Sequence, residues 1–290
     1  MLDDNADNRN NNRPGPRRRL SRAAAEAEKK DVREKSRFAF FGLSGSAGAT
    51  TLAFAFADFL SGLNRGMTAA VVEIADDDSP AAGFNYDRIG IDKHFEGRDY
   101  ISFYSLLAGG KPIRGLSNMD GGVNWLLRVP GERFPSLEMS DFVRLASNAE
   151  GEAVICDIDG RFRGGASERG GDMDGIRKVL DDSDRVFAVV DPLPSRMMAD
   201  VRKLHLIKGL ESRGGDVVYV INKMNKGVNA KEMKTFLKVR NAVEIGFLDC
   251  ETIYSAEYNC VSVYSAPGGR EALGNSFKKM LSRHRLSMYM

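Results

Sequence analysis

The spacing of apolar and polar positions changes abruptly at Arg37. Before it, the stretch NADNRNNNRPGPRRRL (5–20) holds almost no core-forming side chains. Burial cannot offset the entropy of ordering such a segment, so it reads as disordered. Residues 21–35 (SRAAAEAEKKDVREK) are rich in Ala and carry Glu and Lys at pairing distance, which allows a polar helix. From Arg37 onward, short apolar runs recur: RFAFFG (37–42), MTAAVVEI (67–74), VNWLLRV (123–129), AVICDI (153–158), RVFAVV (185–190), DVVYVIN (216–222) and AVEIGF (242–247). Runs this continuous suit strands buried on both faces. Longer stretches with helical spacing separate them: 52–66, 136–149, 171–182, 194–210, 229–240 and 269–285. The alternation predicts an α/β fold with a mostly parallel sheet and helices on both faces, a three-layer sandwich. No internal repeat or linker interrupts it after residue 37, so the expectation is one domain, 37–290, behind a basic tail, 1–36.

Composition narrows the classes of function. A chain of 290 residues, 42% hydrophobic, can bury a substantial core. Its net charge of +2 argues against a protein built mainly to coat nucleic acid. That total divides unevenly, because residues 1–36 carry ten Lys/Arg against seven acids and the remaining 254 residues sum to −1. Arg17-Arg18-Arg19 could meet anionic lipid, DNA or an acidic partner, or could be a solvated tail. Three cysteines (Cys156, Cys250, Cys260) and three histidines (His94, His205, His284) have neither disulfide nor metal-ligand spacing. No run approaches the roughly 18 apolar residues of a membrane span. Nor is there an N-terminal apolar stretch of the secretory kind, so a cytoplasmic location is expected.

The chemistry of such a fold concentrates where a strand passes through a loop into a helix. Here that loop is Leu43-Ser44-Gly45-Ser46-Ala47-Gly48-Ala49-Thr50-Thr51. Small residues let backbone N–H groups converge, and the helix dipole favours an anion. The Thr50 hydroxyl is placed to reach a phosphate-bound Mg²⁺. The plainer alternative is a tight turn capped by Thr.

On these residues the chain resembles the MinD/ParA family of deviant Walker A P-loop ATPases, whose loop reads K-G-G-V-G-K-T-T. Further segments resemble that family in order. Val71–Asp76 is similar to its second strand, and Ser102–Gly109 to its short helix ending in L-x-G. Trp125–Gly131 is similar to the strand entering a P-x-G turn, and Ala153–Gly160 to the Walker B/switch II strand. Val217–Asn222 is similar to the strand whose Asn lies beside the base, and 245–259 to the family's "I-P-x-D … A-x-x-x-G" segment. The resemblance spans about 37–285 and implies a P-loop NTPase-like fold. It implies ATP or ADP held by Gly45, Ser46, Gly48, Ala49, Thr50, Thr51 and Asn222, with Mg²⁺ organised by Thr50 and Asp157. It also implies a protein partner and a homodimer formed face to face across nucleotide.

The departures bear on activity. The lysine that crosses the family's dimer interface falls on Ser44, and the general Walker lysine falls on Ala49. The aspartate that positions water falls on Ala75, with Asp76 adjacent. Phosphoryl transfer relies on positioning and on neutralising charge. Losing such a cation costs about 3 kcal/mol or more of transition-state stabilisation. Weak or absent hydrolysis is therefore expected, and the chain reads as a degenerate member acting as a spatial or assembly regulator of a localisation, secretion, pilus or division system. Two alternatives stay open. One is an active ATPase with Asp157 and Asp76 as catalytic candidates and Arg161 or Arg163 supplying charge. The other is a DNA- or membrane-surface module targeted by residues 9–35 or by the C-terminal helix. In that helix Leu273, Phe277, Met280, Leu281 and Met288 share one face, which suits core packing or peripheral membrane contact. Trp125, Phe38, Phe40, Phe54 and Phe56 read as core.

Overall fold

The computed structural model describes residues 35–63, 66–75, 83–108, 117–132, 139–159, 174–197 and 201–289. Residues 1–34 of the tail, Asp76, and Arg161 with Arg163 lie outside the described residues, while Lys35 leads directly into the first strand, which Ser36 begins. Eight strands form one sheet among the described residues: β1 Ser36–Gly42, β2 Ala69–Ile74, β3 Met119–Asp120, β4 Val123–Leu126, β5 Ala153–Ile158, β6 Arg185–Val190, β7 Val217–Met224 and β8 Val243–Gly246. Their order is β3-β4-β2-β5-β1-β6-β7-β8. Every pairing is parallel except β3 with β4. Seven of these strands match the apolar runs read from sequence. β3 does not, because two residues carry no periodicity. Its signature is the turn after it, where Gly121 (φ 56°) and Gly122 (φ 84°) supply the two positive φ angles that a two-residue hairpin needs.

Alternation along β1 builds both layers of core. Phe38 and Phe40 point to one face, Ala39 and Phe41 to the other. The first face is covered by α1 (Ala49–Ser61) and by α11 (Gly269–Leu281). On the second face lie α5 (Met139–Asn148), α6 (Asp174–Asp181) and α8 (Val201–Ser212). Short helices α2 (Phe84–Ile89), α3 (Ile91–His94), α4 (Phe103–Ala108) and α7 (Pro194–Met197) fill connections. Two more, α9 (Ala230–Leu237) and α10 (Cys250–Asn259), flank β8, and a 3₁₀ turn (Arg285–Tyr289) follows α11. α10 has its own sequence signal: Asp249 caps it, accepting from Thr252 N at 2.6 Å.

Helix α1 is apolar nearly all round because sheet and α11 enclose it. Its Phe56 meets Phe38, Phe40, Phe187 and Phe277 at ring-centroid distances of 5.3 to 5.5 Å. Phe54 meets Trp125 at 5.6 Å. The aromatic residues read as core are all buried. In the C-terminal helix, Leu273, Phe277, Met280 and Leu281 are fully buried, while Met288, beyond its end, is 76% exposed. The apolar stripe is thus used for packing. Among the described residues no helix is long and apolar enough to cross a membrane.

Candidate functional site

β1 hands the chain to the loop at the carboxyl end of the sheet, where parallel α/β folds place their ligands. A cleft of about 570 Å³ opens there. Loop residues 44–51 line it, together with Glu73, Asn85, Arg88, Asp157, Lys203 and Lys223. Two residues turn the loop through left-handed backbone, Ser46 (φ 62°) and Gly48 (φ 89°). Gly48 is required twice over. Its φ favours glycine, and a Cβ there would stand 2.5 Å from Asn222 Nδ2. Gly48 also precedes α1 as a cap residue without any side-chain cap, so the helix does not start on a Thr-capped turn. The first amides of α1 therefore keep their capacity to bind an anion. Gly45 is exposed, with no atom within 4 Å of where a Cβ would stand. Ser44 is only 6% exposed, and its Oγ is a buried polar atom with no hydrogen-bond partner.

Of the sequence-predicted residues gathered at this loop, four make side-chain hydrogen bonds. Thr50 Oγ1 donates to Asp157 Oδ1 at 3.1 Å, which joins the two proposed metal residues. Thr51 Oγ1 accepts from Arg88 Nη2 at 3.0 Å. Asn222 is buried and donates its amide to Ala47 O at 2.9 Å, so it braces the loop from beneath. Ala49 begins α1 and presents no charge.

Glu73 carries weight that the sequence reading did not assign to it. It stands in register with Asp157 across β2 and β5, and both are buried. Glu73 accepts from Asn85 Nδ2 at 2.6 Å and from the Arg128 amide at 2.9 Å. Burial pushes its carboxyl up to about 7 despite those bonds. Burial likewise pushes Asp157 up to about 7, with the neighbouring Glu73 charge adding to it and the Thr50 hydrogen bond opposing it. Two buried carboxyls in register resist carrying two charges together. A cation placed between them relieves that conflict.

Cations missing from the loop enter the cleft from other elements. Arg88 comes from α2, with Nε 3.3 Å from Glu257 Oε1; burial works against its charge, while Glu257 and Asp157 favour it. Lys203 comes from α8, buried to 7% exposure, its Nζ 5.8 Å from the Phe41 ring centre. Lys223 comes from the end of β7 and bonds Ser46 O and Asp191 Oδ2. Only Lys223 had a sequence signal, its place beside Asn222 at a strand's carboxyl end. Arg88 and Lys203 are brought in by tertiary packing.

The donor set suits a phosphate group and its metal. Uncapped helix amides, the orphaned Ser44 Oγ and open space at Gly45 form an anion cradle. Thr50 and Asp157 offer hard oxygen ligands of the kind Mg²⁺ takes.

No protein-family model matches the sequence, and no curated protein matches it at a significant level. Solved structures do match. A ParA family ATPase from Chlorobium tepidum is 15% identical with a TM-score of 0.57, covering 86% of this chain and 99% of its own. The MinC:MinD cell division complex of Aquifex aeolicus includes a chain 14% identical, TM-score 0.59, covering 86% and 96%. The septum site-determining protein MinD of Pyrococcus horikoshii, solved with Mg-ADP, is 12% identical, TM-score 0.57, covering 88% and 99%. At these identities the likeness establishes the fold. The chain has the α/β P-loop fold of the ParA and MinD ATPases.

Proposed function

We propose that this chain binds ATP or ADP with Mg²⁺ in the loop cleft, hydrolyses it weakly or not at all, and acts through a protein partner as a spatial or assembly regulator. One observation carries the reading. The loop keeps its cradle and the Thr50–Asp157 pair while Ser44 and Ala49 stand where the two lysines of the resembled family fall. Binding a phosphate requires amides and some positive charge, both available here. Accelerating its transfer requires cations fixed on the transferred group, and those positions are neutral.

In this reading the amides of Gly45, Ser46, Gly48, Ala49, Thr50 and Thr51 hold phosphate oxygens, and Asn222 keeps the loop in shape from below. Thr50 and Asp157 would hold Mg²⁺, whose charge would offset that of the phosphate and favour an ionised Asp157. Ala75 cannot position water, and the adjacent Asp76 is the remaining candidate for that task. A partner is favoured by analogy with the MinC:MinD complex among the similar structures. The experiment is calorimetric titration with Mg-ATP alongside steady-state hydrolysis. Micromolar-range binding with hydrolysis at background is expected. Turnover above background that disappears in Asp157→Ala would replace this reading with its alternative, an ATPase with a rewired site, which the cleft cations Arg88, Lys203 and Lys223 favour.

A further inference from the structure

We infer that Lys223 is the phosphate-contacting cation of this cleft, delivered by a bulge in β7 to the loop that has no lysine of its own. The inference rests on the nucleotide-binding reading above and deepens it.

The register of β7 against β8 slips at this point. Ile221 pairs with Glu244 and Met224 with Gly246, so three steps on β7 oppose two on β8. One extra residue lies in β7 between those pairs, which defines a bulge, and bulges re-aim side chains. In a regular strand Asn222 and Lys223 would point to opposite faces. Here both reach the same loop, and they take adjacent carbonyls: Asn222 donates to Ala47 O and Lys223 to Ser46 O.

Backbone strain marks the same contact. Five non-glycine residues among the described ones have positive φ: Ser46, Lys223, Lys238, Cys260 and Arg283. Lys238 and Cys260 cap the ends of α9 and α10, and Arg283 follows the cap of α11, where left-handed backbone is an ordinary way to stop a helix. Ser46 and Lys223 end no helix, and they are the two partners of one hydrogen bond. Holding two such residues costs on the order of 1 kcal/mol each, and strain of this kind gathers at ligand sites.

The charge environment fits a cation held in readiness. Lys223 Nζ lies 3.0 Å from Asp191 Oδ2, and Asp191 is 3% exposed at the end of β6. Lys223 itself is about one-third exposed, with a flexible four-carbon stem and three donors. It can therefore move from the Ser46 carbonyl to a phosphate in the loop while its charge stays balanced. Asp191 competes with that phosphate for Nζ, which yields opposite expectations for two substitutions.

The test is titration of the full chain with Mg-ATP, comparing wild type, Lys223→Met and Asp191→Asn, with thermal unfolding as a check on folding. Lys223→Met should weaken binding about 10- to 100-fold, the range of one charge-assisted hydrogen bond. Asp191→Asn keeps the oxygen that Leu193 N uses, and should tighten binding because the competing charge is gone. A purely structural role for the pair would make both variants weaker, and that result overturns the inference. Unchanged affinity in a folded Lys223→Met also overturns it, leaving the nucleotide reading intact. Should Lys223→Met fail to fold, Asp191→Asn decides by its direction alone. If wild type binds no Mg-ATP, the nucleotide reading fails and this inference falls with it.

Discussion

Glu73 and Asp157 sit side by side on neighbouring strands with almost no access to water, and this governs how the ligand-free cleft responds to pH. Both carboxyls are pushed up to about 7, from an ordinary range near 4. Between those limits the folded chain holds protons that the unfolded chain has released. The stabilising contribution is therefore complete below about pH 4 and is lost as pH rises through 7. Urea unfolding without metal should show stability falling by about 5 kcal/mol from pH 5 to pH 8, about half of it from each carboxyl. Asp157→Asn should flatten that slope, since it removes one charge and keeps an oxygen for Thr50. A wild-type stability that stays level or rises across this range would contradict the arrangement. Saturating Mg-nucleotide, on the proposed function, should also lift the high-pH end.

Secondary-structure elements here do two separate jobs, and α1 does both. Its amino end forms the anion cradle, while its body is the aromatic centre of one core layer. Phe56 alone contacts rings from β1, β6 and α11. Phe56→Ala should lower stability by about 3–5 kcal/mol, read from the denaturant midpoint at unchanged slope. The loss should also loosen the cradle, because the same helix carries Thr50 and Thr51. α11 is the complementary case. Its amphipathic stripe suited either core packing or a membrane face in sequence, and four of the five stripe residues fill the core beside Phe56 while Met288 is exposed. β7 is the element whose behaviour no pattern anticipates: a regular apolar strand for most of its length, then a bulge that turns two consecutive side chains onto one loop.

Across the whole molecule, fold and chemistry separate. The fold is that of the ParA and MinD ATPases, at identities of only 12–15% in the three structures compared. A face-to-face dimer of the kind the sequence resemblance implies would need a cross-contact from position 44, and Ser44 is short, neutral and buried. Light scattering on a size-exclusion column should therefore give the same mass with and without Mg-ATP. A shift to twice the mass on adding ATP would contradict this. Cations reach the cleft from α2, α8 and β7, so the positive charge of the site is a property of the assembled domain.

The seven principal strands and the loop were legible in the chain because they rest on local pattern: continuous apolar runs must be buried, and small residues before a helix must curl. The pairing of Thr50 with Asp157 was implied by the family resemblance, not by pattern. The loop's lack of lysine was equally plain, and with it the expectation of weak hydrolysis. What the linear order did not contain was the set of cations that line the cleft. Arg88 and Lys203 are distant in sequence and ordinary in context, and only packing of α2 and α8 over the sheet brings them to one cleft. Lys223 follows Asn222 in plain view, but its direction depends on a one-residue slip in strand pairing. A slip of that kind reverses which face a side chain takes, and it is set by the neighbouring strand rather than by the residues that undergo it.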